Sequence, residues 1–115
     1  NALAPGKGAA AYSTAKSALT QLSRVAAFEW AEHGVRVNVV HPDNVFDTGL
    51  WTEEVLNQRA ANYEMTVDEY KARNLLKMEV KARHVASVVV ELCSDRFGAT
   101  TGAQIPIDGG NERTI

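Results

Sequence analysis

Apolar residues recur at spacings of three and four through Ala15, Ala18, Leu19, Leu22, Val25 and Ala26, the period of a helix buried along one stripe. The pattern predicts a long helix over residues 9–33. Beyond Val25 the apolar character spreads around the helix through Ala27, Phe28, Trp30 and Ala31. Burial is therefore expected on two sides, one against a sheet and one against a partner helix. Gly34 is the expected stop, because glycine enters the left-handed conformation without steric cost. The period then changes. Val35-Arg36-Val37-Asn38-Val39-Val40 is rich in β-branched residues and predicts a strand over 35–40, with Pro42 beyond its end. A helix feeding directly into such a strand points to the α/β class.

Downstream, Trp51, Val55, Leu56, Ala60 and Tyr63 keep helical spacing and predict a short amphipathic helix over 51–62. Thr66-Val67-Asp68-Glu69 has the form of a capping box, with Met65 and Tyr70 placed for a hydrophobic staple, so a second helix should run from 66 to about 77. These two helices form an excursion between strands, over residues 47–80. Such insertions commonly wall a substrate site, and Asn57, Arg59, Lys71, Arg73 and Asn74 would face it; a solvated charged face is the other reading of the same residues. An extended stretch at 77–80 leads into another helix near Arg83, whose Val85, Val88, Val89 and Leu92 should point inward. Cys93 beside them is expected to be a buried core thiol. After the turn signal Thr101-Gly102, a last strand is predicted over 103–107, at a sheet edge because Pro106 offers no N–H to a ladder.

Charge and composition remove several classes of partner. The 115 residues carry 12 basic and 14 acidic side chains for a net charge of −2, with no basic block. Nucleic acid and anionic membrane surfaces are thereby disfavoured. No apolar run approaches the roughly 20 residues of a membrane span, and no charged-then-apolar leader opens the sequence. With 45% hydrophobic and 23% charged residues, the chain reads as one soluble globular unit, with the cytoplasm as the expected location. Cys93 is the only cysteine, which excludes an intrachain disulfide and a thiolate metal cluster. His33, His41 and His84 are too scattered to read as a metal site. The opening Asn1-Ala2-Leu3-Ala4-Pro5-Gly6-Lys7-Gly8 reads as a loop already in progress, so a longer protein is expected around this sequence.

Two places carry candidate chemistry. Tyr12 and Lys16 are four apart at the start of the long helix, hence one turn from each other on the same face. An ammonium beside a phenol favours the phenolate, the form a tyrosine base needs. Such a pair also arises by chance. The second place is the loop at 41–49, His41-Pro42-Asp43-Asn44-Val45-Phe46-Asp47-Thr48-Gly49. In an open parallel sheet, ligands bind at loops leaving the carboxyl ends of strands. Its Asp and Asn residues are equally ordinary turn formers.

Taken in order, Tyr12-x-x-x-Lys16, Gly34-Val35-Arg36-Val37-Asn38-Val39-Val40-His41-Pro42 and Thr101-Gly102-Ala103-Gln104-Ile105-Pro106-Ile107-Asp108-Gly109-Gly110 resemble the carboxyl-terminal half of a short-chain dehydrogenase/reductase. The resemblance covers nearly the whole chain. It implies a portion of a Rossmann-like, doubly wound parallel sheet, with two strands and about four helices present. It also implies an alcohol or aldehyde substrate and NAD or NADP as cofactor, while the apolar Phe28 and Trp30 point to a homo-oligomer built through the long helix. More narrowly, the opening eight residues, Phe46-Asp47-Thr48-Gly49-Leu50-Trp51-Thr52-Glu53-Glu54 and Asp108-Gly109-Gly110-Asn111-Glu112-Arg113 are similar to the dehydrogenase part of bifunctional rhamnulose-1-phosphate aldolase/alcohol dehydrogenases. In those proteins the dehydrogenase is thought to act on lactaldehyde.

By position, the family mechanism makes Tyr12 the proton donor or acceptor at the substrate oxygen. Lys16 would assist Tyr12 and hydrogen-bond the nicotinamide ribose. Pro42 and Asp43 stand where the family has Pro-Gly, the backbone near Val45 would meet the nicotinamide carboxamide, and Thr48 matches a family threonine with a shift of one residue. Asp43 and the shifted Thr48 are departures from the pattern. The family's glycine-rich pyrophosphate turn, its catalytic serine and its catalytic asparagine all precede these motifs and are not in this sequence, which holds half of a catalytic tetrad. A non-catalytic fragment, kept for oligomer contacts through the long helix with Phe28 and Trp30, is the alternative.

Overall fold

A computed structural model describes residues 8–111, so the predicted opening loop before Gly8 and the tail after Asn111 lie outside the described residues. Helix α1 (Ala10–Trp30) is followed by a 3-10 turn (Ala31–His33), strand β1 (Val39–Pro42), helices α2 (Glu53–Ala61), α3 (Val67–Lys71) and α4 (Ala82–Leu92), a 3-10 turn (Asp95–Phe97) and strand β2 (Gln104–Ile107). The two strands pair in one sheet. Their register rises together, from Val39 N–H donating to Ala103 O (2.9 Å) to Asp43 N–H donating to Ile107 O (3.3 Å), which is parallel pairing. This is the expected α/β, Rossmann-like arrangement. The described residues divide into two compact units, one of residues 8–40 together with Val89–Ile105, the other of His41–Val88 and residues 106–111. No helix among the described residues is long and apolar enough to cross a membrane.

In the first unit, Gly34 ends the opening helical segment as expected, in the left-handed conformation (φ 72°) with its N–H donating to Ala31 O. The expected inward stripe is corrected. Thr20 and Ala27 are buried and Ser13, Ser23 and Ala26 half-buried, whereas Ala15, Ala18, Leu19, Leu22 and Val25 are exposed. Small residues win the inner face because they let another segment come close: a Cβ built on Gly102 would lie 3.9 Å from Ala27 Cβ. Two of the three hydroxyls on this face are satisfied within the helix, Thr20 Oγ1 donating to Lys16 O (3.0 Å) and Ser23 Oγ to Leu19 O (2.9 Å).

The first strand is also corrected, from 35–40 to Val39–Pro42. Residues 36–38 spend polar groups on the segment before β2 instead of on a ladder, and Val35 N–H donates back to Trp30 O. Val37 N–H donates to Thr101 Oγ1, and the Asn38 side chain donates to Thr100 O (3.0 Å) and accepts from Ala103 N–H (3.0 Å). Arg36 reaches Thr100 O and Ser94 O. Cys93 is exposed, not a core thiol. It follows the last residue of α4, and Leu92 takes the buried position.

In the second unit, Phe46, Ala60 and Tyr70 form a buried cluster with Trp51, Leu56 and Val67 packed against it. Thr66 caps α3 with the full reciprocal box: Glu69 N–H donates to Thr66 Oγ1, while Thr66 N–H donates to Glu69 Oε2 at 2.8 Å. The expected run of this helix to 77 is corrected, since α3 ends at Lys71. Buried Asn74 takes over the backbone there, donating to Met78 O (2.6 Å) and accepting from Met78 N–H (3.2 Å). The turn it pins holds Lys77 at φ 53°, outside helical geometry.

Thr66→Ala is expected to destabilise the protein by about 1 kcal/mol, read as a lower urea midpoint. The backbone N–H of Thr66, then its hydroxyl, holds the Glu69 carboxyl below the usual range. A carboxyl lowered in the folded state contributes stability above its unfolded pKa and loses it as pH falls through the folded one. The gap between Thr66→Ala and the parent should therefore narrow in acid; a gap that widens there contradicts the box as the source.

Candidate active site

Tyr12 and Lys16 stand on the first turns of α1, both exposed to solvent, with Lys16 Nζ 5.6 Å from the Tyr12 ring centroid. The helix delivers this geometry, because residues four apart lie one above the other on the same face. The phenol and the ammonium are thus available together to an incoming molecule. Ser13, beside Tyr12, has a buried Oγ with no hydrogen-bond partner among the described residues.

The other predicted residues belong to the second unit. Pro42 closes β1 and is exposed. Asp43 follows it, and its Oδ2 accepts from the side-chain amides of Asn44 (2.8 Å) and Asn111. The departure from the family's glycine thus has a structural use: the carboxylate ties the loop after β1 to the end of the chain segment following β2. Val45 is half-buried, and its carbonyl accepts from Thr48 Oγ1 (3.0 Å). No acceptor among the described residues takes the Val45 N–H. Phe46 N–H donates to Val80 O, and Asp47 Oδ1 accepts from Ala82 N–H at 2.7 Å, capping the start of α4. A loop anchored at Asp43, Phe46 and Asp47 presents Val45 and Thr48 on fixed backbone.

Sequence reasoning finds Asp43 but not its partner Asn111. Asp43 and Asn111 are 68 positions apart, so no local pattern links them. In the sequence Arg73 is one charge of a solvated or substrate-side face, although its spacing of three from Tyr70 is a readable signal. It lies over the rings of Tyr63 and Tyr70, with its Cζ 4.7 and 5.0 Å from their centroids.

A family profile described as enoyl-(acyl carrier protein) reductase, a group of short-chain dehydrogenases/reductases, matches residues 2–112. The chain belongs to the short-chain dehydrogenase/reductase family. Its fold is similar to that of a short-chain dehydrogenase family protein from Francisella tularensis, with a TM-score of 0.79 and 29% identity over 98% of this chain and 48% of that one. Among curated proteins, it is 35% identical over 115 residues to an uncharacterized oxidoreductase of Bacillus subtilis, covering 96% of this chain and 17% of that protein. It is 36% identical over 107 residues to an uncharacterized NAD-dependent oxidoreductase of Mycobacterium tuberculosis, covering 92% of this chain and 38% of that protein. The chain thus spans well under half the length of these curated relatives.

Proposed function

We propose that this chain supplies the proton-transfer residues of an NAD(P)-dependent oxidoreductase that interconverts an alcohol and a carbonyl. The observation that carries the reading is Tyr12 and Lys16 one turn apart on an exposed face, in a chain matched to the family over residues 2–112. Tyr12 gives its hydroxyl proton to the substrate oxygen during reduction and takes it back during oxidation. Lys16 holds positive charge beside the phenol and donates to the nicotinamide ribose. The Val45 N–H and the loop through Pro42, Asp43 and Thr48 receive the carboxamide end. Bound nicotinamide supplies the hydride donor or acceptor.

The substrate we propose is a short 2-hydroxy aldehyde such as lactaldehyde. It rests on the likeness of residues 46–54 and 108–113 to the dehydrogenase part of the bifunctional aldolase proteins. The insertion over 47–80 is its wall, and a reducing cytoplasm its setting. Self-association through α1 fits the same reading, since Leu22 is 63% and Phe28 86% exposed. The test is oxidation of NADH or NADPH by lactaldehyde, followed by the loss of reduced-nicotinamide absorbance. Lys16→Ala is expected to lower kcat/KM by roughly tenfold or more, the worth of a charge-assisted hydrogen bond. Absence of turnover and of nicotinamide binding in a protein that joins this chain to the family's dinucleotide-binding half would refute the proposal.

A further inference from the structure

Arg73 takes part in none of the ion pairs found among the described residues. Its guanidinium lies against the adjacent rings of Tyr63 and Tyr70, and its buried Nε has no hydrogen-bond acceptor among the described residues. Leaving a buried charged donor unmade is costly. Tyr70 gives no counter-charge: burial pushes its phenol up, and Arg73 and Arg59 draw it back only in part. Glu79 is taken by Lys71 and Lys81, each at 3.2 Å. Asp43 and the buried Asp108 share a small cleft with Arg73; the Asp43 carboxylate accepts from Asn44 and Asn111, and Asp108 Oδ1 accepts from Gly110 N–H.

The same guanidinium borders an open groove of about 340 Å³, with Met65, Leu75, Gly110 and Asn111 as its other walls. That is the small end of the range for ligand cavities, about 300–1,000 Å³. We propose that this groove binds a small oxyanion, a phosphate or a carboxylate group, on the Arg73 fork. Two rings hold the fork in place before any ligand arrives, so little side-chain freedom is lost on binding. A planar guanidinium matches the paired oxygens of either anion. Met65 and Leu75 offer apolar surface to the carbon part of a phosphorylated or carboxylated metabolite. The proposal does not depend on the dehydrogenase reading.

The experiment is a titration of the intact protein with inorganic phosphate, and separately with acetate, against chloride at equal ionic strength. Backbone amide chemical shifts locate the site. Saturable shifts centred on Arg73, Gly110 and Asn111 are expected with phosphate, acetate or both, and the stronger of the two names the group. Arg73→Gln should weaken that binding by on the order of tenfold or more, and Arg73→Lys should restore only part of it. Shifts that follow ionic strength alone, or that centre elsewhere, overturn the proposal even if Arg73→Gln fails to fold. So does an Arg73→Gln protein that binds like the parent.

Discussion

Tyr12→Phe is expected to lower turnover by about 10²–10⁴-fold, the usual contribution of a positioned acid or base, while the unfolding midpoint stays where it was. The two halves of that expectation come from different observations. Tyr12 is 56% exposed, and its ring is met from one side by Lys16 Nζ, a contact that phenylalanine keeps. Removing the hydroxyl alone should therefore cost no more than an ordinary surface change, within about 0.5 kcal/mol. What is lost is the only atom on that ring able to exchange a proton. Reduced-nicotinamide absorbance reads the first half and thermal unfolding the second. Equal turnover in the two proteins would remove Tyr12 from the proton path, and the exposed Leu19, Leu22 and Phe28 of α1 would then favour the reading of this helix as an interface. A large drop in the unfolding midpoint would mean that the activity loss reports structure, not chemistry.

The features legible in the sequence are those decided within a few residues. Gly34 must follow the helix because its φ of 72° is open to glycine, and Thr66 with Glu69 forms a box whose every partner lies within three positions. The Tyr12 and Lys16 pair belongs to this class, since helix pitch alone brings the two together. The failures are decisions made by distant partners. Which face of α1 is buried depends on the close approach that Ala27 permits at Gly102, and hydrophobicity favoured the wrong side. The start of β1 depends on Thr100 and Ala103 drawing the Asn38 side chain. The early end of α3 reflects Asn74, whose carboxamide completes the turn through Met78, and Leu76 N–H, which donates to Gly109 O. Asp43 shows the same limit at the candidate site. Its departure from glycine looked like a defect in a cofactor contact, whereas its carboxylate is the acceptor that joins two segments far apart in the chain.

Phe46→Ala should destabilise the protein by about 3–5 kcal/mol, a large share of the 5–15 kcal/mol that holds a typical domain together. Phe46 is 5% exposed, and its ring lies 4.9 Å from Trp51 in a tilted contact and 5.8 Å from Tyr70 edge-on. Truncation removes both ring contacts and opens a space that Ala60, Leu56 and Val67 must collapse to fill. The same residue sits between Val45 and Thr48, so its ring is the anchor of the loop that we propose receives the nicotinamide. Affinity for the coenzyme should fall along with stability, because a loop without its anchor must be ordered again on each binding event. Phe46→Leu separates the two effects: it refills part of the space, should cost less in urea unfolding, and should keep more of the coenzyme affinity. If Phe46→Ala unfolds at the parent's urea midpoint, the aromatic cluster is not the core of this unit. If it unfolds early yet the folded fraction binds coenzyme as the parent does, the loop is held by Asp43 and Asp47 alone, through their bonds to Asn111 and to the first turn of α4.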